Sequence, residues 1–457
     1  MDITCVILAA GQGTRMKSEL PKVLHSVCGR ALVEHVINAC RGMGEPVVIV
    51  GNGSGKVKEL LGDSVRYAMQ EKRLGTGHAV MECFRQQDIN TEYTLVCAGD
   101  MPLIKAQTLE RLCDRAAGMG ACVLSANMDN PFGYGRILRN EDGTFAKIVE
   151  QKDASPQQAL VKEVNTSVYV FRTEPLKAAL KEITPANAQG EYYLTDCLEI
   201  IGRRAPIAVY CMEDSREAFG INDRVQLAQA QKIMQQEINR QHMLAGVTVI
   251  DPENTYIEAG VSIGQDTVIY PGSYIGTGSV IGKNCVLKGG NRLEKAVLGD
   301  AVTVNASVLL SCSVGSGTTV GPNAYLRPGA QIGNNARIGD FVEIKNANIG
   351  DGTKVSHLSY VGDASVGSGC NIGCGAVFVN YDGKHKFRSV VGNNVFIGSN
   401  ANVIAPVELK DGAYIAAGST VTRDIPAGAL CVARSREYIK EKWAQELRAL
   451  WEKEENQ

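Results

Sequence analysis

No stretch of the chain is apolar for long enough to cross a membrane; runs such as PVVIV at 46–50 fall far short of a span of about 20 residues. The opening MDITCVILAAG lacks both the basic flank and the apolar length of a secretory signal, which predicts a cytoplasmic protein. Excess charge of either sign is missing too. With 47 lysines and arginines against 49 aspartates and glutamates, no global field draws in nucleic acid or an acidic membrane, so any anion site must be local. The 14 cysteines include no C-x-x-C pair, and CNIGC at 370–374 lacks the second pair of a zinc site. They read as small buried hydrophobes in a reducing compartment.

What is present is length: 457 residues, 44% of them apolar, imply roughly two to four soluble domains. Up to about residue 220, CVILAA, VVIVG, YTLVCAGD, ACVLSANM and NTSVYVF read as strands, while VEHVINACRGMG and AQTLERLCDRAAGMG read as helices closed by glycine. This alternation predicts a Rossmann-like α/β domain of parallel strands with helical crossovers, binding ligands at the carboxyl ends of its strands. The stretch ILAAGQGTRMKSELPKVLH, residues 7–25, leaves the first strand at such an end. Gly11 and Gly13 permit a close backbone approach that a Cβ would block, so successive N–H groups can cradle an anion bracketed by Arg15 and Lys22. The spacing matches neither the dinucleotide fingerprint nor the Walker loop, which keeps an ordinary tight turn as the alternative.

Residues 222–246 predict one long helix with Leu227, Ala230, Met234 and Ile238 along one stripe and Gly246 at its end. From about residue 251 to 425 the period becomes six: blocks such as VGPNAY, IGNNAR and IGDGTK open on an aliphatic residue, most often followed by glycine. Many such blocks in phase predict a left-handed parallel β-helix, three blocks to a triangular coil, with about 18 residues per coil and roughly ten coils stacked into a prism about 45–50 Å long. The repeat breaks once, at FVNYDGKHKFRS (378–389), which must loop out as a site or as plain solvated chain. The expected divisions are therefore 1–221, a linker helix 222–250, the β-helix 251–430 and a helical tail 431–457.

The motifs LAAGQGTRM, PKVLH, LGTGHA, GYGRI, IVEQKDA, NAQGEYYLTD, RPGAQIGNNARIGDFVEIK, HLSYVGDA, NYDGKHKF and AAGSTVTRD follow one another along essentially the whole chain. By them the chain resembles the bacterial bifunctional N-acetylglucosamine-1-phosphate uridylyltransferase / glucosamine-1-phosphate N-acetyltransferase family. The resemblance implies two reactions. The carboxyl-terminal half moves an acetyl group from acetyl-CoA to glucosamine 1-phosphate, and the amino-terminal half joins N-acetylglucosamine 1-phosphate to UTP, releasing pyrophosphate, with Mg²⁺ as cofactor. It implies further that the backbone of Leu8, Ala9, Ala10 and Gly11, with Gly13, wraps the nucleotide while Arg15 and Lys22 neutralise its phosphates. Gln70, Gly75 and Thr76 would read uracil and ribose, and Gly135, Glu150 and Asn165 would hold the amino sugar. Asp100 and Asn222 would hold the metal; by position alone, Asp100 ends a strand and Asn222 caps the long helix.

For acetyl transfer the amine must lose a proton, and His357 in VSHLSY is the candidate base, although an isolated histidine in a repeat is otherwise plain surface. The resemblance implies that Arg327, Lys345 and Lys386 bind glucosamine 1-phosphate with Tyr360 and Asn371. Asn380, Tyr381, Ser399, Ala417 and Arg434 would contact acetyl-CoA, with Cys374 standing by the thioester where relatives carry alanine. Gln12, Ala98 and Phe132 also depart from the family pattern. Members assemble as homotrimers, which is the expected state here. The tail places Trp443, Leu447 and Trp451 at helical spacing, implying a helix that packs on a neighbour or over the acetyl-CoA site. Two rival readings are a one-reaction nucleotidyltransferase with a regulatory β-helix, and a non-enzymatic scaffold of the same folds. The first needs no histidine or basic cluster on the prism, and the second no Lys22 or Asp100.

Overall fold

The apolar runs of the first half are strands. The computed structural model describes residues 1–51 and 53–455. In it β1 (Ile3–Ala9), β2 (Pro46–Gly51), β3 (Arg66–Gln70), β4 (Tyr93–Ala98), β5 (Ala121–Asn127), β6 (Arg136–Arg139), β7 (Phe145–Val149), β8 (Glu163–Arg172) and β9 (Ile207–Cys211) share one sheet. Its order is β9-β5-β8-β4-β1-β2-β3, with the β6–β7 hairpin attached to β8. Val47, Val48, Ile49 and Val50 are all buried, which an unbroken β-branched run requires in a sheet covered on both faces. Helices α1 (Leu32–Cys40), α2 (Gly55–Leu61), α3 (Thr76–Gln86) and α4 (Ala106–Ala116) make the crossovers. The carboxyl ends of β1 and β4 consequently lie side by side, Leu8 opposite Ala98.

The sheet is mixed rather than all parallel. β8 runs antiparallel to both β4 and β5. Between β5 and β8 the chain spends itself on a hairpin and a one-turn helix, α5 (Pro156–Ala159), so it returns in the opposite direction. The ladder between β5 and β8 shifts register between Asn165 and Tyr169, and Ser167 there holds a left-handed φ of 62°. After β8 come α6 (Thr173–Ala179) and α7 (Asp196–Gly202), ahead of β9.

The chain divides into two compact units, residues 1–237 and 238–457, and the division falls inside helix α8 (Arg224–Leu244). The expected apolar stripe of α8 is only partly realised. Ala230 is buried, but Leu227 and Met234 are half-exposed, and the other buried positions are the polar Gln235 and Asn239. Asn239 earns its burial by donating to the carbonyls of Pro252 and Thr255, at 2.8 and 3.0 Å, where the chain enters the repeat.

In the second unit short strands from Thr248–Val249 to Leu430–Cys431 form three parallel sheets of 11, 10 and 9 strands, one for each side of a prism. Aliphatic residues stack coil on coil: Ile338 pairs with Val355, Val355 with Ile372, Ile372 with Ile397, and Ile397 with Ile415. All five are buried. Many corners are taken by Asn335, Asn346, Asp363, Asn394 and Asn400 in the left-handed region, where a short polar side chain tolerates positive φ. The polar insertion leaves the coil as expected, and within it Tyr381 bridges to Lys386. Past the last coil, α9 (Trp443–Glu455) realises the tail helix, with Trp443 52% and Trp451 53% exposed.

Leu309 is fully buried in the stack of coils. Leu309→Ala is expected to cost about 3 kcal/mol, read as a lower denaturant midpoint for the transition of the second unit.

Candidate active sites

The first site is a cleft of about 420 Å³ in the first unit. Strand β1 delivers Leu8 and, just past its end, Ala10 and Gly11 to its wall, β3 delivers Gln70, and β4 delivers Ala98 and, just past its end, Asp100. Gly75, Thr76, Gly135, Glu150, Asn165, Lys22 and Asn222 also line it; of the other expected residues, Ala9 points into the core, and Arg15 is exposed outside the wall, reaching it only through Asn222. A Cβ added at Gly11 would meet nothing within 4 Å, so that segment stands open to a ligand. Gly13 serves differently from the expected wrap: its φ is 62°, and a Cβ there would sit 2.5 Å from Lys22 Cβ. Its bareness lets Lys22 pass close and reach into the cleft.

Lys22 Nζ donates to Asp100 Oδ2 in an ion pair, with both side chains mostly buried. Asn222 Oδ1 accepts from Arg15 Nη2 at 2.8 Å and from Lys22 Nζ at 3.4 Å. Two oxygens on separate segments are thus turned toward cations, and the Asp100 carbonyl, accepting from Ile221 N at 3.0 Å, ties those segments together. The helix-cap reading of Asn222 does not hold. Asp223 caps α8, its carboxylate accepting from Gln226 N at 2.8 Å, while Gln226 Oε1 accepts from Asn222 N at 2.7 Å. The Asn222 side chain is left for the cleft.

On the sugar side, a Cβ on Gly135 would stand 3.3 Å from both Glu150 carboxylate oxygens, so the glycine keeps that carboxylate accessible. Burial, then the nearby Asp153 and Asp196, hold the Glu150 carboxyl above the usual range. Asn165 is fixed by the shift in β8: its Nδ2 donates to Tyr169 Oη at 2.7 Å, and its Oδ1 accepts from Ser167 N at 3.1 Å. At the other end Gln70 Nε2 donates to the Gly75 carbonyl at 3.0 Å. Sequence reading missed Arg73, whose Nε donates to the Ala10 carbonyl at 3.1 Å, as well as Tyr134 and Ser167. Tyr134 stands inside the quoted GYGRI motif without having been singled out, whereas Arg73 and Ser167 lie outside the family motifs and folding brings them to the wall. Among the departures Ala98 lines the cleft, whereas Gln12 is exposed and Phe132 is 78% exposed.

On the prism the expected residues gather at two different corners. At one, Asp340 pairs across the ladder with His357, and His357 Nδ1 lies 2.7 Å from Asp340 Oδ1. A carboxylate only accepts, so Nδ1 carries a proton, and in the neutral ring this leaves the lone pair on Nε2. The bond to His357 holds the Asp340 carboxyl below the usual range. The same column continues coil by coil: Gly375 N bonds to the Leu358 carbonyl, Asn400 N to that of Cys374 and Gly418 N to that of Ser399. Cys374, Ser399 and Ala417 therefore follow His357 as one exposed strip, and Arg434 Cδ lies 3.6 Å from where a Cβ on Gly418 would be. Asn371 sits in the sheet that ends at this corner.

The second corner holds the cations. Arg327 and Lys345 occupy successive coils, and Arg327 Nη1 donates to Glu343 Oε1 at 2.8 Å. The Lys386 ammonium from the insertion, with Arg327 behind it, pushes the Lys345 amine below the ordinary lysine range, so three positive groups converge there. Asn380 joins them, donating to Asp363 Oδ2 at 2.5 Å and to Tyr360 Oη at 3.4 Å. Lys345 pairs with Gly362, and the left-handed corners at Leu358 and Asp363 put His357 before that face of the prism and the cationic group after it. Asp340 was not singled out in the sequence. Its signal is positional, one coil of 17 residues before the histidine.

A model of the MobA-like NTP transferase domain matches residues 5–168. The bacterial transferase hexapeptide model, of six repeats, matches 254–289, 311–346 and 388–423. The chain is similar to the bifunctional protein GlmU of Acetivibrio thermocellus, 48% identical over 446 residues that cover 96% of this chain and 97% of the relative. It is 47% identical to that of Clostridioides difficile over 451 residues (97% and 98%) and 49% identical to that of Geobacillus thermodenitrificans over 448 (97% and 98%).

Burial, then Glu199 and Asp153, raises the Asp196 carboxyl beside the cleft to about 6. A folded value above the unfolded one means the native state binds the extra proton, so stability falls as pH climbs from about 4 to 6. Asp196→Asn is therefore expected to raise the unfolding midpoint near pH 7.5, by no more than about 1 kcal/mol for a half-exposed group, with the gain vanishing near pH 4. Thermal melts at the two pH values check the sign.

Proposed function

The chain belongs to the GlmU family of bifunctional proteins, and from that premise we propose how each unit carries one of its two reactions. It acetylates glucosamine 1-phosphate with acetyl-CoA and transfers uridylyl from UTP to N-acetylglucosamine 1-phosphate. The observation that carries the assignment is that each unit assembles its own reactive set: Lys22, Asp100 and Asn222 in the cleft, and His357 on Asp340 with a cationic cluster on the prism. Both rival readings lack a use for one of these sets.

In the cleft, a phosphate oxygen of the sugar phosphate attacks the α-phosphorus of UTP, and the bond to the bridging oxygen breaks to release pyrophosphate. Two anions must meet, so the protein's work is alignment and charge neutralisation. Lys22 and Arg15 supply positive charge, the open backbone at Gly11 lets N–H groups approach the phosphates, and Gln70 and Thr76 orient the nucleoside. Glu150 and Asn165 hold the amino sugar from the opposite wall. Asp100 and Asn222 fit a hard divalent cation: they offer one carboxylate and one amide oxygen, already turned toward cationic side chains, and leave its remaining positions to phosphate and water. Mg²⁺ bound there would supply further charge neutralisation at the phosphates.

On the prism, the amine nitrogen of glucosamine 1-phosphate attacks the thioester carbonyl, His357 Nε2 takes its proton, and the thiolate of coenzyme A leaves. Asp340 fixes the ring and its tautomer and balances the imidazolium that forms. Arg327, Lys345 and Lys386 hold the phosphate, with Tyr360 and Asn371 on the sugar. The coenzyme lies along Cys374, Ser399, Ala417 and Arg434. Because the base and the phosphate-binding cluster stand at opposite corners of one prism face, a second copy is needed to bring Asn380, Tyr381 and the cations of one chain to the histidine of the next. A homotrimer supplies that neighbour three times over, and covers the apolar face of α9. Among the described residues no helix is long and apolar enough to cross a membrane, and all 14 cysteines are free thiols, in keeping with the cytoplasm.

His357→Ala is expected to lower acetyl transfer about 10²–10⁴-fold while uridylyl transfer from UTP survives. Asp100→Ala should give the reverse, and joint loss of both activities in either folded variant would sink the division. Asp340→Asn is expected to lower the acetyl-transfer kcat about 10²-fold with little change in KM for either substrate, measured by steady-state release of coenzyme A.

A further inference from the structure

The segments that wall the nucleotide cleft also wall a second cavity. Gly75, Thr76 and Glu191 line the cleft, while their neighbours Leu74, His78 and Tyr192 line a separate space of about 850 Å³. Its other walls are one face of α3, with Met81, Phe84 and Arg85, and the end of α6 with the residues after it, Lys177, Leu180, Lys181 and Ile183. The volume is that of a site for a small organic molecule.

Two properties fix the class of occupant. Met81, Phe84, Leu180, Ile183 and the Tyr192 ring make an apolar floor, with Leu180 and Ile183 only 5% and 6% exposed. Three cations surround it and no carboxylate lines it. Arg85 is paired with Glu82 at 2.6 Å and Lys177 with Glu174 at 2.8 Å, with Lys177 Nζ also 5.7 Å from the Phe84 ring centre. For Lys181 no ion pair is found among the described residues, which leaves its charge for a ligand. We propose that this cavity binds an amphipathic monoanion, a flat or branched apolar body with one acidic group, and that its occupancy is felt at the nucleoside end of the cleft.

The coupling is built into the shared wall. Tyr192 N donates to the Leu74 carbonyl at 2.7 Å, Gly77 N to the Tyr192 carbonyl at 2.8 Å, and Leu194 N to Thr76 Oγ1 at 3.2 Å. There is no slack between the layers: a Cβ on Gly75 would fall 2.5 Å from the Tyr192 carbonyl oxygen. Gln70, on the cleft wall, is tied to the cavity's His78: its Nε2 contacts the Gly75 carbonyl at 3.0 Å and His78 Nδ1 at 3.2 Å. A ligand that wedges Leu74 and Tyr192 apart from α3 displaces Gly75 and Gln70 toward the nucleoside, which weakens UTP binding.

The probe is 8-anilinonaphthalene-1-sulfonate, an apolar anion whose fluorescence rises on leaving water. Titrated into the full-length protein, it is expected to bind with a half-saturation that weakens about fivefold or more in both Lys181→Glu and Met81→Gln, neither of which touches the nucleotide. At saturation it is expected to raise KM for UTP about threefold or more in the wild type and not in the variants, which separates coupling from direct competition in the cleft. Unchanged probe binding in both variants would overturn the site, and a wild-type KM unmoved at saturating probe would overturn the coupling. The KM arm rests on uridylyl transfer; the fluorescence arm needs no turnover and fails independently of it.

Discussion

Parallel strand pairing in register is the constraint on which both halves of the molecule depend. Once β1 and β4 run side by side in one direction, their carboxyl ends share an edge, and Gly11 and Asp100 must approach the same space. In the prism the same rule acts along the stack: a residue's neighbour in the next coil is set by the ladder, so Asp340 falls on His357, and Cys374, Ser399 and Ala417 follow without any sequence proximity. Side-chain identity then decides what chemistry each edge or column acquires.

Electrostatics refine what register places. In the cleft, Lys22 and Arg15 already contact the two oxygens proposed to hold a metal, so positive charge is gathered before any phosphate arrives. On the prism, Lys345, Lys386 and Arg327 are held together against their own repulsion, an arrangement that an anionic group relieves on binding. On the prism, though not in the cleft, where the cations are already paired with oxygens, the chain tolerates a like-charge grouping that an anionic substrate would relieve.

The β-helix was legible in the sequence because its signal is local and repeated: each block carries its own inward aliphatic residue and its own corner. The strands of the first half were legible for a similar reason, as unbroken runs such as VVIV announce burial on both faces. The direction of β8 was not, since nothing in NTSVYVF records whether the preceding chain was spent on a helix or a hairpin. Most motif residues expected at the nucleotide do line one cleft, and Tyr134 joins them from within the GYGRI motif, while Arg73 and Ser167, which are brought there only by folding, carried no sequence signal. Asn222 was ambiguous until the adjacent Asp223 was seen to cap the helix. The buried Gln235 and Asn239 of α8 defeated the apolar-stripe rule because the carbonyls that Asn239 serves lie beyond the helix itself.

The coils also bear on how a chain of this kind can vary in length. A coil meets only the two beside it, so one more inserted below Asp340 would extend the rod and leave the column from Asp340 to Ala417 as it is. Within a coil the length varies slightly, 18 residues from Ile269 to Leu287 but 16 from Leu293 to Leu309, with all four side chains still buried in the stack. Changes of size in this half can therefore arrive as whole turns, as one or two residues at a corner, or as longer excursions, of which the stretch from Asn380 to Arg388 is one that places Lys386 beside Lys345.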